Sequence, residues 1–115
     1  MSVIEVVLCH PVRTPIGTYG GSLKATPATV LGAAVIRETL RRSQLSSEKI
    51  EALVMGQVVQ AGSKMNPARQ AGIGGGDLEA VDATLVPLGD ERGAGGRQLV
   101  EAVVAVEDQD RKSVV

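Results

Sequence analysis

Aromatic residues are almost missing from this chain of 115 residues: Tyr19 stands alone, with no phenylalanine and no tryptophan. A core built here must draw on Val, Leu, Ile, Ala and Met, without the large buried areas that aromatic rings supply, so modest stability is expected. Cysteine and histidine are as scarce. Cys9 as the only thiol excludes an internal disulfide framework, and with His10 as the only imidazole it excludes a structural zinc site of the usual kind. No metal or other cofactor is implied. Long apolar runs are missing too, so no bilayer-spanning helix is expected, and the N-terminus lacks the basic region and cleavage site of a secretory signal. A cytoplasmic protein is the expectation. Neither sign of charge dominates: 12 Lys and Arg against 13 Asp and Glu leave a formal charge of −1, with no clustered basic face, which argues against a nucleic-acid partner.

What is present is an ordinary globular composition, 43% hydrophobic and 22% charged, in a length that makes one small domain or part of one. Val3 to Cys9 is a β-branched, nearly continuous apolar run, the pattern of a strand covered on both faces in a parallel sheet. Pro11 ends it, because proline cannot donate to a ladder. Pro15, Gly17 and the Gly20-Gly21 pair then turn the backbone repeatedly. Thr26-Pro27 predicts a helix start, with Thr26 as the cap and proline in the first turn. From there Ala28, Leu31, Gly32, Val35, Ile36, Thr39 and Leu40 share one helical face, with Arg37, Glu38, Arg41 and Arg42 on the other, and the helix runs to Arg42. Gly32 on the buried face is expected to serve a close approach to the sheet.

Ser46 to Ile50 reads as a short capped turn, and Ala52 to Val59 as a second buried strand around Gly56. Strand, helix, strand make a βαβ unit, with the first two strands neighbouring and parallel. Asn66-Pro67 repeats the cap-plus-proline device and opens a short helix from Ala68 to Ile73, which Gly74-Gly75-Gly76 is expected to stop. Val81 to Val86 is a third strand. Beyond it Leu99, Ala102, Val103 and Val106 share a helical face, although Val100, Val103, Val104 and Val106 are β-branched and pull toward strand. The charged tail from 107 to 115 is expected to fray.

Val12-Arg13-Thr14-Pro15-Ile16-Gly17 followed by Gly20-Gly21-Ser22-Leu23-Lys24 resembles the opening of the thiolase family, enzymes that make or break carbon–carbon bonds between acyl-CoA molecules. Met55-Gly56, Val58-Val59-Gln60-Ala61-Gly62 and Asn66-Pro67-Ala68-Arg69-Gln70-Ala71 are similar to the same family at the corresponding place. The resemblance divides the chain into a thiolase-like segment, residues 1–76, and a diverged continuation, residues 77–115. It implies an α/β fold: thiolase-like βαβ layers with a mainly parallel three-stranded sheet and packed helices, forming an incomplete domain. It also implies acyl-CoA as the ligand class, and self-association or a thiolase-like partner chain.

In the family, the third strand leads to Cys-Gly-Ser-Gly at a helix N-terminus, and that cysteine becomes acylated. A helix N-terminus lowers a thiol's pKa and makes it a better nucleophile. Here the matching stretch is Arg92-Gly93-Ala94-Gly95, so arginine holds the nucleophile position, and a guanidinium that stays protonated cannot attack a thioester. The family's base histidine, second cysteine and CoA loop match nothing in this sequence. Cys9 and His10 are disfavoured as a substitute pair, because neighbouring residues at a strand end point to opposite faces. Arg13 is expected to anchor its loop through backbone carbonyls, Arg69 to brace the second helix and Asn66 to cap it. Gly93 to Gly96 falls short of the spacing of a dinucleotide-binding loop. Three readings follow: an inactive acyltransferase segment, a non-catalytic interaction module, or the product of a shifted reading frame or of gene decay, the likeness falling away after Gly76.

Overall fold

In the computed structural model, which describes residues 6–57, 59–78, 82–87, 100–108 and 111–114, helix α1 runs from Ala28 to Ser43. Its start differs by one residue from the expectation. Pro27 itself is the N-cap, in an extended conformation (φ −60°, ψ 146°), and its carbonyl accepts from the Val30 and Leu31 amides at 3.0 and 3.3 Å. Proline suits that place because it brings no amide of its own to leave unpaired. The helix stops at Gln44, which turns left-handed (φ 57°), just after Arg41 and Arg42 have met the negative end of the dipole. Ala28, Gly32, Ala33, Ile36 and Thr39 are buried, so the inward face is the one read from spacing, with Ala33 added to it.

Helix α2 spans Pro67–Gly76, and here the glycine run corrects the sequence reading. Gly74, Gly75 and Gly76 do not stop the helix: they form its last turn, and Asp77 in the left-handed region (φ 53°) ends it, with its amide bonded back to Ile73 O at 3.2 Å. Their missing side chains are used for packing. A Cβ on Gly75 would lie 2.8 Å from both Ala33 O and Ile36 Cβ, so the two helices meet at backbone distance. Arg37 ties the same crossing from outside, its Nη2 donating to Gly74 O at 2.6 Å.

The strands are β1 (Val6–Leu8), β2 (Ile50–Gln57), β3 (Asp82–Pro87), β4 (Val100–Asp108) and β5 (Arg111–Val114), with a single 3₁₀ turn at Ser47–Lys49 before β2. They form one five-stranded sheet in the order β1-β5-β4-β2-β3, not the three-stranded sheet expected. β1 pairs parallel with β5 and β2 parallel with β3, while β4 runs antiparallel to both β2 and β5. Two readings are therefore corrected together. The segment from Val100 to Val106 is strand, not helix, because its β-branched residues suit a pleated backbone better than a helix. The tail does not end in a frayed segment throughout, since Arg111–Val114 pairs with β4 and Lys112–Val114 also with β1.

A third correction concerns the βαβ unit. β1 and β2 are not neighbours: β5 and β4 lie between them, and β2 takes β4 on one side (Ile50↔Val106 to Gln57↔Val100) and β3 on the other (Ala52↔Asp82 to Gln57↔Pro87). β2 also begins earlier than expected and ends at Gln57, with Val59 outside it. The core lies between this strand and the helix pair: Ile36 from α1, Ile50, Leu53 and Met55 from β2, Ala68 and Ala71 from α2, and Leu78 just after it. Small alanines and glycines on α2 compensate for the lack of aromatic side chains by letting the layers approach closely.

Candidate functional site

The C-terminal end of β2 and the N-termini of both helices come together on one side of the molecule. The apolar run of β2 is broken by Gln57, which is only 2% exposed. A buried amide is costly unless its hydrogen bonds are made. Its Nε2 donates to Val59 O and to Ser63 Oγ, both at 2.8 Å, drawing the connection after β2 back over the strand end. Gln70 holds the same connection from the helix side, with Nε2 donating to Ser63 O at 2.9 Å and to Met65 O at 2.8 Å. Asn66 completes the arrangement: its Oδ1 accepts from the Arg69 amide at 3.0 Å as the cap of α2, and its Nδ2 donates to Ala83 O of β3 at 3.3 Å. Asn66 takes φ 43°, a left-handed conformation that asparagine tolerates better than most residues.

The opposite wall is the segment between β1 and α1. It folds as successive tight turns, with Gly21 N, Lys24 N and Thr26 N each bonded at 3.0 Å to the carbonyl three residues back. Gly20 sits at φ 68°, as the glycine pair suggests. Between the walls lies a groove of about 400 Å³, lined by Lys24, Thr26 and Thr29 on one side and Gly62, Ser63 and Lys64 on the other, with Gln70 at its floor. Its chemistry is that of polar binding. Two ammonium groups, hydroxyls and an amide line it, and among the described residues no thiol, imidazole or carboxylate does.

The residues singled out from sequence are dispersed. Cys9 is half-buried just beyond the end of β1, and His10 beside it is exposed, with φ 52°. Arg13 donates from Nη1 to Thr14 O at 3.3 Å, a bond to a carbonyl of its own loop. Arg69 is exposed near the start of α2. Arg92, and with it Gly93 to Gly96, lies outside the described residues. Among the described residues no group of three His, Cys, Asp or Glu could hold a metal ion, and no helix is long and apolar enough to cross a membrane. Gln57, Ser63 and Gln70 were not distinguished in the sequence. The available signal was Gln57 itself, a polar residue interrupting an apolar strand.

One further ionic cluster lies on the outer face of α1. Glu38 accepts from Arg41 Nε and Nη2, both at 2.8 Å, and from Arg42 Nε at 2.6 Å. These hydrogen bonds, Arg41's first, hold the Glu38 carboxyl down at about 2 and push the Arg41 guanidinium up. The cluster is solvent-exposed and remote from the groove, so it bears on the helix alone.

Compared with known proteins, residues 6–112 match the family described as the thiolase N-terminal domain. A probable acetyl-CoA acyltransferase of Staphylococcus epidermidis is 48% identical over 82 residues, covering 71% of this chain and 21% of that protein. The acetyl-CoA acetyltransferase of Cupriavidus necator is 44% identical, and a probable acetyl-CoA acyltransferase of Staphylococcus aureus 43% identical, over matches of the same extent. The match thus spans about a fifth of the length of these relatives.

Proposed function

Because this chain belongs to the thiolase family, we propose that it is the N-terminal α/β segment of an acyltransferase acting on acyl-CoA thioesters, of the acetyl-CoA C-acetyltransferase type, and that by itself it transfers no acyl group. The match over residues 6–112 carries the first half of the proposal. The second half rests on the identity of residue 92. Acyl transfer through the enzyme needs a thiolate that attacks the thioester carbonyl, forms a new thioester and releases the CoA thiolate, with a base to take up the proton. Arg92 offers no such nucleophile. Cys9 does not replace it, because its neighbour His10 is exposed and the groove holds neither group. The test is intact mass after incubation with acetyl-CoA, for the chain and for Arg92→Cys. We expect no adduct on the former, and on the latter alkylation by iodoacetamide without turnover; an acetyl adduct on the unaltered chain would overturn the proposal. The proposed compartment is the cytoplasm.

A second reading, a non-catalytic module that pairs with another thiolase-like chain or with itself, is favoured by the surface. Leu8, Ile16, Tyr19 and Met65 are all more than four-fifths exposed, and β1 and β3 are the two edges of the sheet. Exposed apolar groups and open edges both favour association. Sedimentation at micromolar concentration tests the self-pairing form: self-association supports it, and a monodisperse monomer removes it. A third reading, a frame shift after Gly76, is decided by the DNA for codons 77–115. A Cys-Gly-Ser-Gly in another frame supports it.

A further inference from the structure

Positive charge collects in the groove between the two loop walls without a partner. Lys24 stands on one wall and Lys64 on the other, and among the described residues neither makes a hydrogen bond or an ion pair. The cations of α1 are committed elsewhere: Arg37 donates to Gly74 O at 2.6 Å, and Arg41 and Arg42 share Glu38. Thr26, Thr29 and Ser63 add hydroxyls to the groove, and Ser63 Oγ, which accepts from Gln57 Nε2, keeps its own proton to donate. Among the described residues that line it, no carboxylate offsets the two ammonium groups. Lys64 also reaches its wall from a backbone that does not suit it. Its φ is 64°, in the left-handed region, where glycine or asparagine fits and a longer side chain is disfavoured. Gly62 (φ 80°) takes the same region freely, and nothing lies within 4 Å of where its Cβ would stand, which keeps that wall clear.

We propose that this groove binds a small phosphate-bearing molecule, its phosphoryl group held by Lys24 and Lys64 and its body lying against the hydroxyls of Thr26, Thr29 and Ser63. Two ammonium groups on facing walls match the near-double charge of a phosphate monoester better than the single charge of a carboxylate, and lysine binds phosphate as a point charge without demanding a fixed fork geometry. The volume of about 400 Å³ is more than a bare oxyanion fills and lies within the range of small-molecule sites, roughly 300–1,000 Å³. No aromatic ring is among the described residues lining it, so a nucleobase would find nothing to stack on. A hydroxylated aliphatic body suits hydroxyls and an amide better. The site is independent of acyl transfer, and its test does not depend on that reading.

Titration of the isotope-labelled full chain with glycerol phosphate, followed by amide NMR shifts and by calorimetry, tests this. Saturable shifts should appear at Thr26, Thr29 and Gly62 to Lys64 and not at Arg41 or Arg42, and glycerol without the phosphate should cause none. Lys24→Gln and Lys64→Gln should each weaken binding about three- to tenfold, as expected for a charged hydrogen bond partly screened by water. Lys64→Arg keeps the charge and should keep most of the affinity, and Lys49→Gln, at the other end of β2, should leave it unchanged. Added sodium chloride should weaken binding to the unaltered chain more than to the double lysine variant. Melting curves separate lost binding from lost fold, and should a variant unfold, the shifts in the unaltered chain still decide. Inorganic phosphate that binds as tightly as glycerol phosphate would reduce the groove to a simple anion trap and overturn the proposal. CoA that displaces glycerol phosphate at lower concentration would overturn the preference for a hydroxylated body. Absence of saturable shifts in the groove, or binding indifferent to both lysines, would overturn the site itself.

Discussion

Gly75 of α2 lies so close to Ile36 of α1 that a Cβ on the glycine would come within 2.8 Å of Ile36 Cβ. Real side chains do not approach so closely, and Ala33 O at 2.8 Å blocks the other side. Gly75→Ala gains about 1 kcal/mol in helix propensity and loses about 1–3 kcal/mol to overpacking, so a net loss of about 1 kcal/mol is expected. Gly74→Ala is the control, because its Cβ would meet only Ala33 Cβ, at 3.3 Å. Urea unfolding should show the Gly75 variant less stable than the Gly74 variant.

Asn66 acts twice, as cap to the Arg69 amide and as donor to Ala83 O, from a left-handed backbone. Asn66→Ala should cost about 1–2 kcal/mol, combining a lost cap with backbone strain. Asn66→Gly relieves the strain and should cost less. Thermal unfolding should therefore rank wild type above glycine and glycine above alanine.

Gln57 is the buried amide that orders the connection after β2. Gln57→Leu leaves Val59 O and Ser63 Oγ without this donor and should cost about 1–2 kcal/mol. Gln57→Glu is the more informative change. At pH 7 a buried carboxylate would face the Val59 carbonyl, whereas below its raised pKa a carboxylic acid can donate to it. The stability gap between this variant and wild type should therefore narrow as pH falls from 7 to 4, as read from urea midpoints.

The Glu38 cluster gives a pH dependence of the opposite kind. The Glu38 carboxyl is lowered from 4.5 to about 2, so the folded state binds its proton less readily than the unfolded state. Its contribution is present above pH 4.5 and is lost as pH falls toward 2. Glu38→Gln should remove that part of the acid dependence, and high salt should weaken it in wild type, because the pairs are exposed. Melting curves at pH 6 and pH 2.5, at low and high salt, measure both.

The legible parts of the fold were those set by local rules. The apolar stripe of α1 and the Asn66-Pro67 start of α2 follow from helix geometry and capping, and the structure has both. Sheet order was not legible, because strand pairing is decided between residues far apart in sequence. Val100 to Val106 carried both signals, helical spacing and β-branching, and pairing along β2 decided for strand. Gly74 to Gly76 misled for a similar reason: glycine stops helices locally, but here the approach of α1 requires it inside one. At the candidate site, Asn66 was readable as a cap, whereas Gln57 and Gln70 act on carbonyls whose positions only the folded connection fixes.

The claim that this thiolase-family chain performs no acyl transfer is tested most directly by turnover. Acetyl transfer from acetyl-CoA would be followed for the chain and for Cys9→Ser, with intact mass to detect an acyl adduct. The account predicts no turnover and no adduct in either, because Arg92 cannot be acylated as a thiolate would be, and His10, the imidazole next to Cys9, is exposed. Turnover in the unaltered chain that disappears in Cys9→Ser would contradict it and identify Cys9 as the nucleophile.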